Sequence, residues 1–336
     1  MIEFKTEVHW SHFADPRAEF APAEAKTEIR THPLTGQITR VAHLGLAEKR
    51  DYVRPDNLAT DPLPIFAPPL VVQVTPTFLP ADMPEPRYLR NRSTLFPNLN
   101  PYDRWSPVAA IGDRPFVEPQ DLDPEDVADA LILMRQFFTD LPGIEQTGVV
   151  GWNFWPGAGS SIPHPHLQAV ASGRIPERQE RELAGEQAHV DRTGEAFWPA
   201  FVAAERTGPR WLGESDGWSA IVEFAPRSLV PEVVLVADGP GHLQEASDDD
   251  LTGLATWLTR LAAVHGDLGV PQFNVVLHPT AASSPASRLR ARFIPRLYVV
   301  PTTHSSDVFW VQMGLEEAVT TVVPEDWAGT LRTALA

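Results

Sequence analysis

No cysteine occurs among the 336 residues. That absence removes disulfides, thiol nucleophiles and thiolate metal sites together. Any covalent nucleophile must therefore be His, Ser, Thr, Lys, Tyr or a carboxylate. Positive charge is also scarce: 27 Lys and Arg face 44 Asp and Glu, for a net charge of −17 at pH 7. A field of that sign disfavours a nucleic-acid partner, although a few arginines or backbone donors can invert the potential inside a small pocket. Long apolar runs are missing as well. The opening MIEFKTEVHW has no signal-like segment, and LVVQV and ALILM fall far short of the ~20 residues of a membrane helix. The expectation is a soluble, cytoplasmic protein with no membrane partner.

Apolar residues make up 43% of the chain and charged ones 21%, which excludes a mainly disordered chain. The 34 prolines, many of them between residues 55 and 124, imply long ordered loops. Residues 1 to 30 mix charge with alanine and read as an arm over a first domain. HPLTGQITRVA reads as a turn at Leu34 to Gly36 feeding a strand. Strand signals follow around Ser93 to Phe96 and Ser106 to Ile111. Asp123, Pro124, Glu125 and Asp126 then form a helix start, and Val127, Leu131, Met134, Phe138 and Leu141 give its apolar face. The strand-like GVVGWNFW and a glycine- and serine-rich loop lead into HPHLQAVA.

A similar order recurs in the second half. WSAIVEFAP and EVVLVA read as paired strands. Ser247 and Asp250 resemble a capping box before a helix with the stripe Leu251, Leu254, Leu258 and Leu261. FNVVLHP and the basic RLRARFIPRLYVV follow. Two similar α+β modules are expected, at 1–190 and 191–336, each an antiparallel sheet with packed helices.

The strongest local signal is Asn153-x5-Gly159-x-Ser161-x-Pro163-His164-Pro165-His166-Leu167-Gln168. On a strand, alternate side chains share a face, so His164, His166 and Gln168 would line one side. Gly159, Ser160 and Ser161 supply compact backbone and hydroxyl donors suited to a phosphate. An imidazole attacks phosphorus well when an acceptor holds its far nitrogen and fixes the tautomer. Glutamine can steady a phosphoryl oxygen without acting as an acid. A lone His-x-His pair is also compatible with a structural or metal-binding role; the surrounding spacing favours catalysis.

This segment resembles the signature of the galactose-1-phosphate uridylyltransferase family, within the wider histidine-triad superfamily. It is similar too to the His-x-His-x-Gln pattern of ADP-glucose phosphorylases and diadenosine tetraphosphate phosphorylases. The resemblance implies tandem histidine-triad-like modules, with His166 as the nucleotidylated nucleophile. It also implies that Gln168 and Ser161 contact the transferred phosphoryl group, in a pocket shaped by Asn153 and Gly159. HPLTGQITRV with RPDN, LFPNLNPY, FNVVLHP and PEDWAGTLR resemble further segments of the family in the same order. Asn98 would then hold the nucleotide ribose. Arg50 and Arg54, with Lys49, are candidates for the nucleotide phosphates, or for a basic surface turn. No cofactor is expected. The partners are small nucleotide and phosphate substrates, and subunit pairing is implied by the resemblance alone.

Two departures from the family pattern matter. Relatives with a Cys-x-x-Cys zinc site use the position of His164 as a ligand, and here the sulfur partners are absent. The second half of the family carries His-x-His-x-Glu before Pro-Arg-Leu, whereas this chain has Arg288, Arg290 and Arg292 before Pro295-Arg296-Leu297. His278 matches the first histidine of that metal site, and Glu182 is matched to its carboxylate. Guanidiniums do not ligate metals, so no iron or zinc is expected there. The arginines, with His278, either form an anion pocket for an acidic acceptor or neutralise nearby carboxylates.

Three functions follow for comparison. The first is nucleotidyl transfer or phosphorolysis through a nucleotidyl-histidine, passing UMP or AMP from a nucleotide sugar or dinucleoside polyphosphate to a sugar 1-phosphate or phosphate. The second is a nucleotide hydrolase using the same His166, which Gln168 argues against. The third is a non-catalytic nucleotide-binding protein, which the intact His-x-His-x-Gln segment argues against.

Overall fold

A computed structural model of the chain describes residues 2–45, 63–282, 284, 286–300 and 304–336. The chain opens with a long antiparallel ribbon, β1 (Lys5–Asp15) and β2 (Ala21–Thr31), extended by β3 (Ile38–Val41). Between β2 and β3 the chain reverses at Gly36, whose φ of 69° is cheap for glycine and whose N–H donates to the His32 carbonyl. A short helix, α1 (Leu70–Val74), precedes the main sheet.

The first half then runs β4 (Tyr88–Arg90), β5 (Ser93–Pro97), β6 (Pro107–Ala110), α2 (Pro124–Asp140), β7 (Gly148–Phe154) and β8 (His166–Ala171). Two helices, α3 (Glu177–Thr193) and α4 (Phe197–Glu205), carry the chain across. The second half repeats the order as β9 (Trp211–Ser215), β10 (Trp218–Val222), β11 (Val233–Ala237), α5 (Asp248–Asp267), β12 (Gln272–His278) and β13 (Arg290–Arg296). The chain closes with α6 (Trp310–Leu315), β14 (Ala318–Thr320) and α7 (Pro324–Leu335).

In space the strands follow β4-β5-β6-β8-β7-β12-β13-β11-β10-β9, every neighbour antiparallel. Each half therefore has the same internal order, and β7 and β12 join them at the centre with Asn153 opposite Asn274. This is an α+β architecture of two sheet-plus-helix modules fused into a continuous sheet.

Side-chain alternation sorts the two faces. Leu95, Ala109, Trp152, Leu167 and Ala169 from one half, and Phe273, Val275, Ala291 and Phe293 from the other, share the main core with α2 and α5. The helices form where expected. Asp123 caps α2 by accepting from the Glu125 N–H, and Ser247 and Asp250 complete a capping box on α5. Their stripes are buried: Val127, Leu131, Met134 and Phe138 on α2, and Leu251, Leu254, Leu258 and Leu261 on α5. Each such side chain contributes roughly 1.5–3 kcal/mol of transfer free energy.

The opposite face is covered separately in each half. Phe66 and Val71 cover Phe96, Val108 and Ala110 on one side, while Phe197, Trp198 and Phe201 cover Ile221, Val234 and Val236 on the other. The N-terminal arm, expected over the first module, packs instead on the second. Phe4 lies 5.0 Å from Phe224 and 6.3 Å from Phe201, and the Arg30 guanidinium reaches Glu325 on α7 at 2.9 Å. The boundary drawn at 190/191 falls inside α3, whose buried side chains serve the second half of the sheet. No described helix is long and apolar enough to cross a membrane.

Candidate active site

His166 is the first residue of β8, on the face away from α2. The ladder sets it opposite Ala110 on β6, and sets Gln168 opposite Val108 on β6 and Gly151 on β7. Continued along β7, the same register brings Asn153 beside His166. The neighbours Ala110 and Gly151 are small, and a Cβ placed on Gly151 would meet nothing closer than 3.7 Å, an ordinary contact distance.

The tautomer of His166 follows from one contact. Its Nδ1 lies 2.7 Å from the main-chain oxygen of His164. A carbonyl only accepts, so Nδ1 carries the hydrogen and the lone pair sits on Nε2. Burial pushes the ring below the ordinary 6.5, and the bond to the His164 carbonyl only partly opposes it. At pH 7 His166 is a neutral imidazole with Nε2 basic.

His164 stands just ahead of the strand, not on it. Its main chain holds His166, and its ring is fully buried with Nε2 3.2 Å from the Gly112 carbonyl. Burial, and the neighbouring His166, push it down to about 4. Phe66 meets both rings edge-on, at 5.3 Å from His166 and 6.2 Å from His164.

The glycine- and serine-rich loop turns sharply after β7. Trp155 takes a positive φ of 67°, and its carbonyl accepts from the N–H groups of Ala158 and Ser160. Gly157 approaches the second half so closely that a Cβ would fall 2.2 Å from the Gln272 side chain, whose Oε1 accepts its N–H at 2.5 Å. Gly159 has a φ of 95° and lies beside the Asn153 amide nitrogen. Ser160 is buried with its hydroxyl donating to the Ile162 carbonyl at 2.7 Å, while Ser161 is exposed. Asn98 follows β5, its side-chain oxygen accepting from the Asn100 N–H at 2.9 Å. Arg50 and Arg54 lie outside the described residues. Trp152 and Trp155 are buried in the core.

Asn274 carries no role in the sequence reading; on the central ladder it stands opposite Asn153. Its Nδ2 donates to Asn153 Oδ1 at 2.6 Å and to the Ala158 carbonyl at 2.8 Å. Its Oδ1 accepts from Arg296 at 2.7 Å, and Arg296 is held by Asp307 at 2.6 and 2.8 Å.

Arg290 and Arg292 are buried against carboxylates and do not line the open anion pocket weighed for them. Arg290 is fully buried, donates to Glu182 at 2.5 and 3.1 Å, and stacks 4.5 Å over Trp198. Arg292 donates to Glu223 at 2.8 Å, Glu232 at 3.3 Å and Glu182 at 3.5 Å. Burial works to raise the Glu182 carboxyl, but Arg290, His278, Arg292 and Arg178 outweigh it and hold it well below the usual carboxylate range. His278, 3.6 Å from Glu182, is pushed down to about 3 by burial and by Arg290. Arg288 stands apart, lining a groove of about 440 Å³ with Arg206, Asp238 and Val202.

The second-half metal site that the sequence resemblance implied does not fit these residues. Two guanidiniums occupy the surroundings of Glu182 and His278, and a metal ion would be repelled by both. Among the described residues, no three His, Asp or Glu are grouped to hold a metal ion.

Comparison with solved structures adds the fold. An ADP-glucose phosphorylase from Arabidopsis thaliana with bound ADP-glucose superposes with a TM-score of 0.69 at 17% identity, over 91% of this chain and 98% of that one. A GalT-like protein from Arabidopsis thaliana gives 0.68 at 18% identity, over 90% and 98%. A uridylyltransferase gives 0.63 at 18% identity, over 91% and 98%. The chain has their fold. No protein-family model matches it. An Archaeoglobus fulgidus protein, described as uncharacterized, is 24% identical over 319 residues, spanning 92% of each chain.

Proposed function

We propose that this protein transfers a nucleoside monophosphate through a covalent adduct on His166. The observation that carries the reading is the 2.7 Å bond from His166 Nδ1 to the His164 carbonyl, which leaves a neutral ring with its lone pair on Nε2. Nε2 attacks the α-phosphorus of a nucleotide sugar or dinucleoside polyphosphate. The Nε2–P bond forms as the bond from phosphorus to the leaving phosphate oxygen breaks. The ring becomes cationic and keeps its Nδ1 hydrogen, and the His164 carbonyl dipole stabilises that charge. The leaving group is a phosphate, already a good one, so no acid is required. Gln168, which cannot give up a proton, suits that step. A phosphate oxygen of the acceptor then attacks phosphorus, and the P–N bond breaks to restore the neutral ring.

Asn153, Gly159 and Ser161 are proposed to receive the phosphoryl oxygens, with Gln168 beside them and Asn98 toward the ribose. Support for the donor class comes from the shared fold and from the His-x-His-x-Gln segment. The acceptor is a sugar 1-phosphate or inorganic phosphate.

The test is intact-mass measurement after mixing with UDP-glucose, UDP-galactose, ADP-glucose or diadenosine tetraphosphate, without acid. One donor is expected to add the mass of a single UMP or AMP, and His166→Ala to stay bare. An unmodified protein with every donor would count against the transfer reading.

A further inference from the structure

Asn153 presents either an amide N–H or a carbonyl oxygen to a phosphoryl group beside His166, and only the first would stabilise it. The two ends of an amide have nearly the same shape, so the hydrogen-bond network decides between them. We infer that Arg296, acting through Asn274, sets the Asn153 amide with its donor end toward the substrate. The inference rests on the nucleotidyl-transfer reading for its consequence, but its geometry stands apart from it.

One group in this network can only donate. Arg296 has five N–H donors and no acceptor. Asp307 fixes it from one side, with bonds of 2.8 and 2.6 Å. The third contact, from Arg296 to Asn274 at 2.7 Å, must therefore end on the Asn274 oxygen. That turns the Asn274 nitrogen toward β7, where two acceptors stand at 2.6 and 2.8 Å: Asn153 Oδ1 and the Ala158 carbonyl. Both amide hydrogens of Asn274 are then used. Asn153 has its oxygen occupied, which leaves its Nδ2 as the end beside Gly159. The same Asn274 nitrogen ties down the phosphate loop through Ala158. Arg296, Asn274 and Asp307 are positioning residues belonging to the second half, and they act on a site whose nucleophile belongs to the first.

The experiment compares Arg296→Lys, Arg296→Gln and Asn274→Asp. Lysine is still donor-only and keeps the order, whereas glutamine offers an acceptor and leaves the Ala158 carbonyl alone to hold it. Asn274→Asp keeps the bond to Arg296 but places a carboxylate oxygen against two acceptors. Rapid-mixing mass measurement should show adduct formation slowed roughly 10- to 100-fold in the Gln and Asp variants, short of the loss of a whole oxyanion donor. The Lys variant should stay within about threefold of wild type, and the affinity for the donor should change less than the rate in every variant.

A second readout is independent of catalysis. In protein labelled with [15N]asparagine, the side-chain amide signals of Asn153 and Asn274 are assigned by Asn→Ala substitution. Both should shift in Arg296→Gln and hold in Arg296→Lys. An unchanged Asn153 signal in Arg296→Gln would overturn the inference. An absent adduct in wild type, with the amide signals behaving as described, would instead overturn the transfer reading and leave the amide order standing. If all three variants lose adduct in proportion to thermal stability, the residues are merely structural and the inference fails.

Discussion

A nucleophilic histidine must be neutral, with its remaining hydrogen on the nitrogen that does not react. His166 meets both conditions through burial and a single carbonyl, and the same burial sets a pH dependence. Burial holds the ring below the ordinary 6.5, so protonation removes the lone pair only at a more acid pH than for a free imidazole. The rate of adduct formation should therefore stay level from about pH 8 down through 6.5 and fall only below that. An acid limb at or above 6.5 in single-turnover mass measurements would show that the ring is not shielded as described. At this scale much was legible. The spacing singles out His166, Gln168, Gly159 and Asn153, because a strand period and a glycine- and serine-rich loop leave a local mark. The contribution of His164 was legible as a position but not as a role, since its main chain serves the site while its ring packs. Asn274 and Arg296 lie in the segments FNVVLHP and Pro295-Arg296-Leu297, but nothing local in either segment marks what they do. Their meaning depends on β12 pairing with β7 in one register, 121 residues away along the chain.

Among the elements, α2 and α5 show what a periodic apolar stripe can reveal, and α3 shows what it hides. The buried face of α3 is Gln179, Glu182, Glu186 and His189, which reads as a solvated helix surface. It is buried because Arg290 and Arg292 on β13 face it, so the two strips of charge cancel only once the helix and sheet are apposed. Net acidity gave no warning of this, since the carboxylates had no visible partner in their own segment. Breaking such a pair from one side strands a charge in the interior. Arg292→Met would leave Glu223 and Glu232 without that guanidinium, and should destabilise the protein by about 3–5 kcal/mol in urea unfolding. Replacing Arg290 and Glu182 together with apolar residues should cost less than the sum of Arg290→Met and Glu182→Met, because neither group is left facing its missing partner. A double variant as damaged as the sum of the single ones would deny that the cluster is held by mutual neutralisation.

Over the whole molecule, the repeated order of elements invites a division into two domains, yet the contacts run across the division. β7 and β12 share a hydrogen-bonded ladder at the centre of the sheet, and the main core draws on both halves through α2 and α5. Arg90 and Arg135 each reach Asp248, at 3.1 and 2.5 Å, and Gln244 donates to the Phe138 carbonyl at 2.9 Å. The N-terminal ribbon belongs in space to the second half, where Arg30 meets Glu325, so the first-half sheet cannot carry its own N-terminus with it if the halves part. Domains that unfold separately meet through modest, more polar interfaces. Here, separation would break a central ladder and expose Trp152 and Phe154, which pack across it on Phe273 with ring centroids 5.1 and 4.6 Å away. Scanning calorimetry should therefore record a single transition, with van't Hoff and calorimetric enthalpies in agreement. Arg296→Gln, which disturbs one contact between the halves, should lower its midpoint without splitting it. Two resolved peaks in wild type would mean that the duplication survives as two energetic units, and that the link from Asp307 to Asn153 spans a joint able to open.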